Sequence, residues 1–296
     1  MNLVLDIGGM STKIAICDNN NKFIYRHNFS YPNLISIDVL VRELEQRIFD
    51  IILTNKIDNI CISSPGNVNP VSGEIKGLSA IQGLETFNFK LTWEPKFKLP
   101  VFIDNDANCA AIAELEYGNA KNEKNVVVIV IGTGVGGSLI IDGKIHRGNH
   151  FFAGEYGYLL NTKYGNDRYL NVSQSIGIAN LIQSFKKRTN KEVNGEQIYD
   201  LYNTDNDAKT VVEEMIHNTS KLIYNLSFII DPDLILIGGA ISKNILFINL
   251  VNKELKTLYK KIGLEPQFLI KSCKYYNDSN LIGANMLSSL FGVKVD

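Results

Sequence analysis

The sequence predicts an α/β protein of two domains, each built around a mixed β-sheet. Strand-like and helix-like patterns alternate along the 296 residues, which is typical of that class. A pattern of strand, glycine turn and strand near the N-terminus recurs near the middle of the chain. The hydrophobic content of 45% supports a substantial core, and the length suffices for two domains of ordinary size.

The first part of the chain predicts a β-meander followed by a helix. Asn2–Ile7 is a short apolar run that ends at a pair of glycines, and the strands Thr12–Cys17 and Phe23–Tyr25 follow it. Asp38–Leu53 carries apolar residues three and four positions apart, which predicts an amphipathic helix.

Two further strands and a helix are predicted before the middle of the chain. The strands are Asn59–Ser63 and Val101–Ile103, and the helix is Ala107–Glu116. The stretch Gly118–Lys124 is polar and contains glycine, so it is the candidate linker between the domains.

The second half repeats the plan of the opening. Asn125–Ile131 is a β-branched run, Gly132–Gly137 is a glycine turn, and Ser138–Ile141 is a second strand pattern. Gly132 lies 124 positions after Gly8, and duplication of one α/β unit would explain the repeat.

Three more elements complete the predicted fold. Val211–Ile230 is a long helical pattern that Asp231-Pro232 stops, and Leu234–Ile237 is a strand that ends at a second glycine pair. Asn280–Leu290 is the last predicted helix.

The composition excludes several classes of protein. Thirty basic and 31 acidic side chains give a net charge of −1, so no basic excess predicts nucleic-acid binding. No apolar run approaches the roughly 18 to 20 residues that span a bilayer. Asp6 interrupts the apolar stretch that a secretory peptide would need, and the four scattered cysteines favour core residues over disulfides or zinc ligands. We expect a soluble cytoplasmic protein without nucleic-acid or membrane partners.

The glycine turns suggest phosphate binding. Gly132–Gly137 matches the dinucleotide pattern G-x-G-x-x-G, but a strand follows it where that motif requires a helix. An oxidoreductase is therefore disfavoured. Amide groups in a glycine turn bind phosphate well, although each turn alone is explained as an ordinary hairpin. Two equivalent turns, one beside Asp6 and Lys13 and the other carrying Thr133, favour phosphate binding.

A polar triplet suggests a catalytic site. Asp104-Asn105-Asp106 stands between a predicted strand and a predicted helix. Phosphoryl transfer to a hydroxyl group needs a carboxylate that accepts the proton and hydrogen bonds that orient the acceptor. Helix capping explains one such residue, but three polar residues exceed what a cap requires.

A later motif suggests sugar binding. Ala153–Tyr158 places Glu155 among glycines and aromatic residues, which suits a sugar ring, although such a motif alone is also typical of a solvated loop. His146 and His150 lack further ligands in sequence, so we interpret them as loop histidines and not as metal ligands.

These motifs, in this order, resemble the ROK family of sugar kinases and related repressors, within the actin-like, hexokinase-like ATPase superfamily. The similarity covers essentially the whole chain. Six segments carry it: LDIGGMSTK (Leu5–Lys13), SSPGNVNPVSGEI (Ser63–Ile75), IDNDANCAAIAE (Ile103–Glu114), IGTGVGGSLIIDGKIHRG (Ile131–Gly148), AGEYGY (Ala153–Tyr158) and DPDLILIGGAIS (Asp231–Ser242).

The resemblance implies a fold and a division of the chain. Two actin-like (ribonuclease H-like) α/β domains with mixed sheets would flank a cleft for ATP and sugar. The smaller domain would comprise residues 1–117 and 281–296, and the larger one residues 118–280. A homodimer is expected.

The resemblance also implies roles for individual residues. Asp106 would be the base that deprotonates the sugar hydroxyl attacking the γ-phosphate of ATP. Asp6 would help to organise Mg²⁺, directly or through water. The remaining residues would bind sugar (Asn105, Gly66, Glu155, Tyr158), lie near or hold the phosphates (Gly8, Gly9, Lys13, Gly132, Thr133, Gly134) or lie along the adenosine (Gly238, Gly239).

Two departures from the family pattern affect the expected chemistry. Met10 replaces the threonine usual in the first glycine loop, and Thr12 would supply its hydroxyl only if the turn were rebuilt. Tyr158 replaces the histidine of the zinc-bearing members, and no cysteine cluster follows, so no zinc is expected. In this tyrosine and in the GNVNPVSGEI stretch, the chain resembles the zinc-less β-glucoside kinases of the family. Those enzymes phosphorylate the 6-hydroxyl of the non-reducing glucose of a β-glucoside such as cellobiose.

Three functions are compatible with the resemblance. The first is an ATP-dependent sugar kinase acting on a β-glucoside or hexose, with N-acetylmannosamine kinase or glucokinase as alternatives. The second is a sugar-sensing repressor, which is disfavoured because the first strand begins close to Met1 and the charge is balanced. The third is a sugar-binding protein without catalysis, which the replacement at Met10 suggests.

Overall fold

The computed structural model of the chain describes residues 1–18, 20–32, 34–77, 79–164 and 168–292. Residues 293–296 of the predicted smaller domain and residues 165–167 of the larger one lie outside this part. Within it, no helix combines the length and the apolar character needed to cross a bilayer.

Strands and helices alternate in the order predicted for the α/β class. The strands are β1 (Asn2–Ile7), β2 (Ser11–Cys17), β3 (Phe23–Ser30), β4 (Asn59–Ser64), β5 (Asn67–Val68), β6 (Ile75–Lys76), β7 (Val101–Asn105), β8 (Val126–Ile131), β9 (Val135–Ile141), β10 (Lys144–Ile145), β11 (Leu160–Tyr164), β12 (Arg168–Asn171), β13 (Leu234–Gly238) and β14 (Leu269–Ser272). The α-helices are α1 (Ile37–Thr54), α2 (Phe89–Phe97), α3 (Asp106–Tyr117), α4 (Val172–Ile176), α5 (Ile178–Thr189), α6 (Gly195–Asp200), α7 (Asn206–Ile230), α8 (Ile245–Lys260) and α9 (Ser279–Phe291).

The chain forms two compact units. Unit 1 comprises Met1–Ala113, Asn149–Phe152 and the chain from Asp278 onward. Unit 2 comprises Glu114–Gly148 and Ala153–Asn277. The domain boundaries expected from the sequence stay a prediction.

Unit 1 is built on a five-stranded sheet of order β3-β2-β1-β4-β7. The first three strands form the predicted antiparallel meander, and β4 and β7 continue the sheet in parallel with β1. Side chains alternate between the faces of a strand, so Leu3 and Leu5 of β1 join the core that α1 and α2 cover. Val4 and Asp6 lie on the opposite face, and α9 packs against β1.

Unit 2 repeats this topology. Its sheet has the order β10-β9-β8-β13-β14, with an antiparallel meander and two further parallel strands. The repeated plan that the sequence predicted is confirmed, because β8 and β9 take the places that β1 and β2 take in unit 1. The core of unit 2 forms where helices α4 to α8 pack against the sheet, and Phe185 and Phe247 are fully buried in it.

One predicted boundary is wrong at the site. The sequence placed Asp104 and Asn105 after the strand that ends at Ile103. Pairing with β4 continues to Asn105, because Asp104 and Asn105 lie opposite Ser63 and Ser64 in the parallel ladder. Asp106 is then the first residue of α3.

Candidate active site

Polar side chains collect where the parallel strands of unit 1 end. Asp6 of β1, Ser63 of β4 and Asp104 of β7 occupy one row across the sheet, since each is the register partner of the next. All three are at most 7% exposed. The carboxyl ends of parallel strands are the usual place for ligands in open α/β sheets. A buried polar row at this edge therefore indicates a site.

Hydrogen bonds from three elements fix the carboxylate of Asp6. Its Oδ1 accepts from Ser63 Oγ at 2.9 Å and from Asn280 Nδ2 of α9 at 3.0 Å. Its Oδ2 accepts from Lys13 Nζ of β2 at 2.8 Å. Asp6 is thus held as a partnered, orientated carboxylate, which is the condition for a buried charge to persist.

Asp106 begins α3, directly beyond the end of β7. The backbone N–H of Ala107 donates to its Oδ1 at 2.7 Å, while part of the side chain stays accessible. Burial raises the pKa of Asp106 from 3.8 to about 6, the Ala107 N–H opposes this shift, and the negative charge of Asp6 adds to it. A carboxylate whose pKa lies just below neutrality is mainly ionised at pH 7 and still basic enough to accept a proton.

Asn105 is held beside the loop that follows β4. Its Nδ2 donates to the carbonyl oxygen of Gly66 at 2.9 Å, and its Oδ1 accepts from the N–H of Asn108 at 3.0 Å. Gly66 has a φ of +89°, and a Cβ there would lie 2.9 Å from Ile75 Cγ2. Only glycine satisfies both the positive φ and the close contact. The structure thus brings Gly66, Asn105 and Asp106 together, and their roles toward a sugar stay a prediction.

The first glycine turn connects β1 to β2. Gly8 donates its N–H to the carbonyl of Ser11 at 2.9 Å, and the carbonyl of Gly8 accepts from the hydroxyl of Tyr31 at 2.5 Å. Met10 is 60% exposed on this turn. Thr12 is fully buried in β2, where its hydroxyl shares a 3.0 Å hydrogen bond with Tyr31. Thr12 therefore does not supply the hydroxyl that Met10 lacks.

The second glycine turn connects β8 to β9 and packs on the start of α5. The carbonyls of Gly132 and Thr133 accept from the N–H groups of Ile178 and Ala179, at 2.9 and 3.3 Å. In a planar trans peptide the N–H points opposite to the carbonyl. The N–H groups of Thr133 and Gly134 therefore point away from α5. Gly132 and Thr133 are exposed, so this turn can present amide donors to an anion.

Two further features of unit 2 surround this turn. Gly239, directly after β13, has a φ of +83°, and a Cβ there would lie 2.0 Å from the carbonyl oxygen of Ile131. Its backbone thus lies against the residue that precedes Gly132. An open cleft of about 1510 Å³ is lined by Thr133 and Gly134 together with residues of α4, α5 and α7.

The predicted sugar-binding motif forms a short 3₁₀ turn in unit 2. Tyr156 is buried and its hydroxyl donates to the carbonyl of Ser138 in β9 at 3.3 Å, which anchors the turn to the sheet. Glu155 immediately precedes the turn and is partly accessible, and Tyr158 at its end is 47% exposed. Both side chains are therefore open to a ligand.

Sequence reasoning missed two partners of Asp6. Ser63 was predicted as a strand residue only, although a polar residue at the end of an apolar strand is the signal that identified Asp106. Asn280 gives no local signal, because it lies 274 positions from Asp6 in the chain. Among the described residues no group of three or more His, Cys, Asp or Glu side chains is arranged to hold a metal ion.

Comparison with known proteins identifies the family. A sequence model of the ROK family matches residues 2–289. A β-glucoside kinase of Listeria monocytogenes is 30% identical over 285 residues, covering 94% of each chain. An N-acetylmannosamine kinase of Vibrio cholerae is 27% identical over 266 residues, covering 86% of this chain and 89% of that one. A ROK family protein from Streptococcus pneumoniae, solved in complex with sucrose, is 31% identical, covers 96% of each chain and superposes with a TM-score of 0.83.

These similarities extend over nearly the whole chain and both units. The two mixed five-stranded sheets, each a meander continued by parallel strands, agree with the actin-like two-domain fold expected from the sequence. The resemblance inferred from the motifs is therefore confirmed: this chain belongs to the ROK family.

Proposed function

We propose that this protein is an ATP-dependent carbohydrate kinase that phosphorylates the 6-hydroxyl of the glucose unit of a β-glucoside such as cellobiose. Kinase activity is supported by family membership and by relatives named as kinases. The observation that carries the mechanism is Asp106, a carboxylate at the carboxyl edge of the unit 1 sheet with a pKa raised to about 6.

Asp106 is proposed to act as the general base. The attacking sugar hydroxyl would transfer its proton to the Asp106 carboxylate as its oxygen bonds to the γ-phosphorus and the bond to the β-phosphate oxygen breaks. General bases of this kind contribute roughly 10²-fold to 10⁴-fold to the rate. The hydrogen bond from the N–H of Ala107 to Oδ1 orients the carboxylate toward this role.

The sugar is proposed to bind Asn105, Gly66, Glu155 and Tyr158. Asn105 is already orientated by its bonds to Gly66 and Asn108, so little side-chain entropy remains to be lost on binding. Glu155 provides an acceptor for hydroxyl groups. Tyr158 provides an aromatic face and a hydroxyl, which suits the mixed polarity of a sugar ring.

The nucleotide is proposed to bind the glycine turns. Amides of the Gly132–Gly134 turn would donate to the β- and γ-phosphates, Gly8, Gly9 and Lys13 would lie near the phosphates, and Gly238 and Gly239 would lie along the adenosine. Fixed amide donors and a lysine stabilise the charge that develops during phosphoryl transfer, because they need no reorganisation.

Asp6 fits a role toward Mg²⁺ through bound water. Both of its oxygens have protein partners, and Mg²⁺ in kinases characteristically retains several waters and uses few carboxylates beside the phosphates. When bound with ATP, Mg²⁺ neutralises phosphate charge. Lys13 and Asn280 would keep the Asp6 carboxylate pointed at the hydrated ion.

The choice of a β-glucoside over other sugars rests on two features. Tyr158 stands where zinc-bearing members have histidine, and the relative at 30% identity is a β-glucoside kinase. N-acetylmannosamine and glucose are the competing acceptors, the first because of the Vibrio cholerae relative. A sugar-binding protein without turnover is the second candidate function, and the exposed Met10 on the first phosphate turn favours it.

The test is ADP release with ATP and Mg²⁺ across a panel of cellobiose, glucose and N-acetylmannosamine. We expect the highest kcat/KM with cellobiose, a product phosphorylated at the 6-hydroxyl, and loss of activity in EDTA that Mg²⁺ restores without zinc. A higher kcat/KM for another sugar would replace the substrate assignment. Sugar binding without ADP release would favour the second candidate.

A further inference from the structure

One buried side chain beside the proposed sugar site has no hydrogen-bonding partner. Asn67 begins β5, directly after Gly66, and is 3% exposed. Neither its Nδ2 nor its Oδ1 has a partner, and within the described part of the chain it is the one side chain with buried polar atoms left in this state. Burying an unpaired amide is unfavourable, so such a group in a native fold calls for an explanation.

The position of Asn67 connects it to the residues proposed to bind sugar. The carbonyl that precedes it belongs to Gly66 and accepts the 2.9 Å hydrogen bond from Asn105 Nδ2. The peptide group between Gly66 and Asn67 is therefore hydrogen-bonded to the side chain of Asn105. Asp106 directly follows Asn105 in the chain.

The side-chain amide of Asn67 lies on the face of β5 opposite the unit 1 core. Val68 is 1% exposed and belongs to the unit 1 core. Neighbouring residues of a strand point to opposite faces, so Asn67 does not face that core. Its pairing with Lys76 of β6 accounts for the backbone only.

The chemistry of the unpaired group limits what can bind it. A carboxamide offers two N–H donors and one uncharged acceptor oxygen side by side. A phosphate would leave the acceptor unpaired, and a cation would leave the donors unpaired. Two adjacent hydroxyl groups satisfy both atoms, because one accepts from Nδ2 while the other donates to Oδ1.

We propose that Asn67 is a specificity-determining residue that binds two adjacent hydroxyl groups of the sugar ring. The proposal rests on the proposed function and deepens it, because it names the part of the substrate that is recognised. A site that leaves a buried amide unpaired without its substrate discriminates strongly against analogues that lack the matching hydroxyl.

The test is Asn67→Leu, an apolar replacement of similar size. We expect an unchanged or higher Tm, because an unpaired buried amide is removed. We also expect the KM for cellobiose to rise tenfold or more, with the KM for ATP unchanged and kcat altered much less. Analogues lacking one hydroxyl of the recognised pair should bind the natural protein weakly, and this penalty should vanish in the variant.

Asn69→Leu is the matched control. Asn69 is the same residue type two positions later, but its Oδ1 accepts from the N–H groups of Val71 and Ser72 and so stabilises a turn. We expect this variant to lose thermal stability while its KM for cellobiose stays unchanged. A sugar KM that rises equally in both variants would overturn the proposal, as would a lowered Tm in Asn67→Leu with its sugar KM unchanged.

Calorimetric titration with cellobiose separates this proposal from the kinase proposal. If the natural protein binds cellobiose without turnover, the kinase assignment fails, while the loss of affinity in Asn67→Leu still supports the role of Asn67. If it turns over cellobiose and Asn67→Leu binds it equally well, the role of Asn67 fails and the kinase assignment stands. If it neither binds nor phosphorylates any sugar of the panel, both fail.

Discussion

The negative charge of Asp6 raises the pKa of Asp106, a second carboxyl group at the same edge of the unit 1 sheet. Burial is the larger cause of the shift, which brings the pKa to about 6. Asp6 itself is held by Lys13, Ser63 and Asn280. One carboxylate is thus held by hydrogen bonds and an ion pair, while burial and a neighbouring charge raise the pKa of the other. Environment alone can separate two carboxyl groups in this way.

We predict that Asp6→Asn moves the acidic limb of the pH profile of kcat/KM to lower pH. The base must be ionised to act, so activity of the natural protein should fall as the pH falls through about 6. Removing the negative charge of Asp6 takes away one of the causes that raise the pKa of Asp106, so that pKa should fall. The acidic limb of the variant should lie at lower pH even though its reaction rate is lower than that of the natural protein.

Asp50→Asn is the control for this profile, since Asp50 is an exposed carboxylate on α1. The acidic limb of the kcat/KM profile of Asp50→Asn should coincide with that of the natural protein. An acidic limb that stays in place in Asp6→Asn would contradict the interaction between the two carboxylates.

We predict that Asp106→Asn stabilises the fold at neutral pH and not at acidic pH. The pKa of Asp106 is higher in the folded chain than the ordinary 3.8, so its ionisation lowers stability as the pH rises from about 4 to above 6. The neutral amide avoids this loss, by up to about 3 kcal/mol at about 1.4 kcal/mol for each pKa unit. Tm measured for both proteins from pH 4 to pH 7 should show a difference that grows with pH. A constant difference would be inconsistent with the raised pKa.

We predict that Met10→Thr lowers the KM for ATP roughly threefold to tenfold, as expected for about 1 kcal/mol from one added hydrogen bond to phosphate. The exchange should be tolerated, because Met10 is exposed and its carbonyl already accepts from the N–H of Tyr31 at 3.0 Å. Met10→Val has the shape of threonine without the hydroxyl and serves as the control. If threonine and valine change the KM equally, the hydroxyl is not bound to phosphate.

We predict that Asn285→Ala destabilises unit 1 by about 2 to 3 kcal/mol through loss of a buried network. Asn285 Oδ1 accepts from Asn2 Nδ2 at 2.9 Å, and its Nδ2 donates to Asn21 Oδ1 at 2.6 Å, which ties α9 to the meander. Urea unfolding monitored by circular dichroism would measure the loss. Ser289→Ala, which removes only a bond within the exposed part of α9, should change stability by less than about 0.5 kcal/mol.

The repeat and the site triplet could be predicted because they are local in sequence. A strand, a glycine turn and a strand identified both meanders, and polar residues after an apolar run identified Asn105 and Asp106. The same rule applied to Asn59–Ser64 would have found Ser63. Asn280 and the unpaired state of Asn67 could not be predicted, since each depends on which distant elements pack around the side chain.

Several helices were missed for different physical reasons. Leu255, Val251 and Phe247 of α8 are spaced four apart, so this helix was accessible to pattern analysis. In α2 the buried residues include Trp93, and Pro95 lies inside the helix, a residue that normally argues against one. Burial of Phe89, Trp93 and Phe97 in the unit 1 core stabilises α2 despite that local signal.

The most direct test of the central claim is the rate of ADP release by Asp106→Asn with cellobiose, ATP and Mg²⁺. We expect a kcat at least about 10²-fold below that of the natural protein, because a general base is lost. We also expect a Tm at pH 7 no lower than that of the natural protein, so that the loss cannot be attributed to unfolding. A variant that retains near-normal kcat would remove Asp106 from the mechanism and contradict the proposed function of this site.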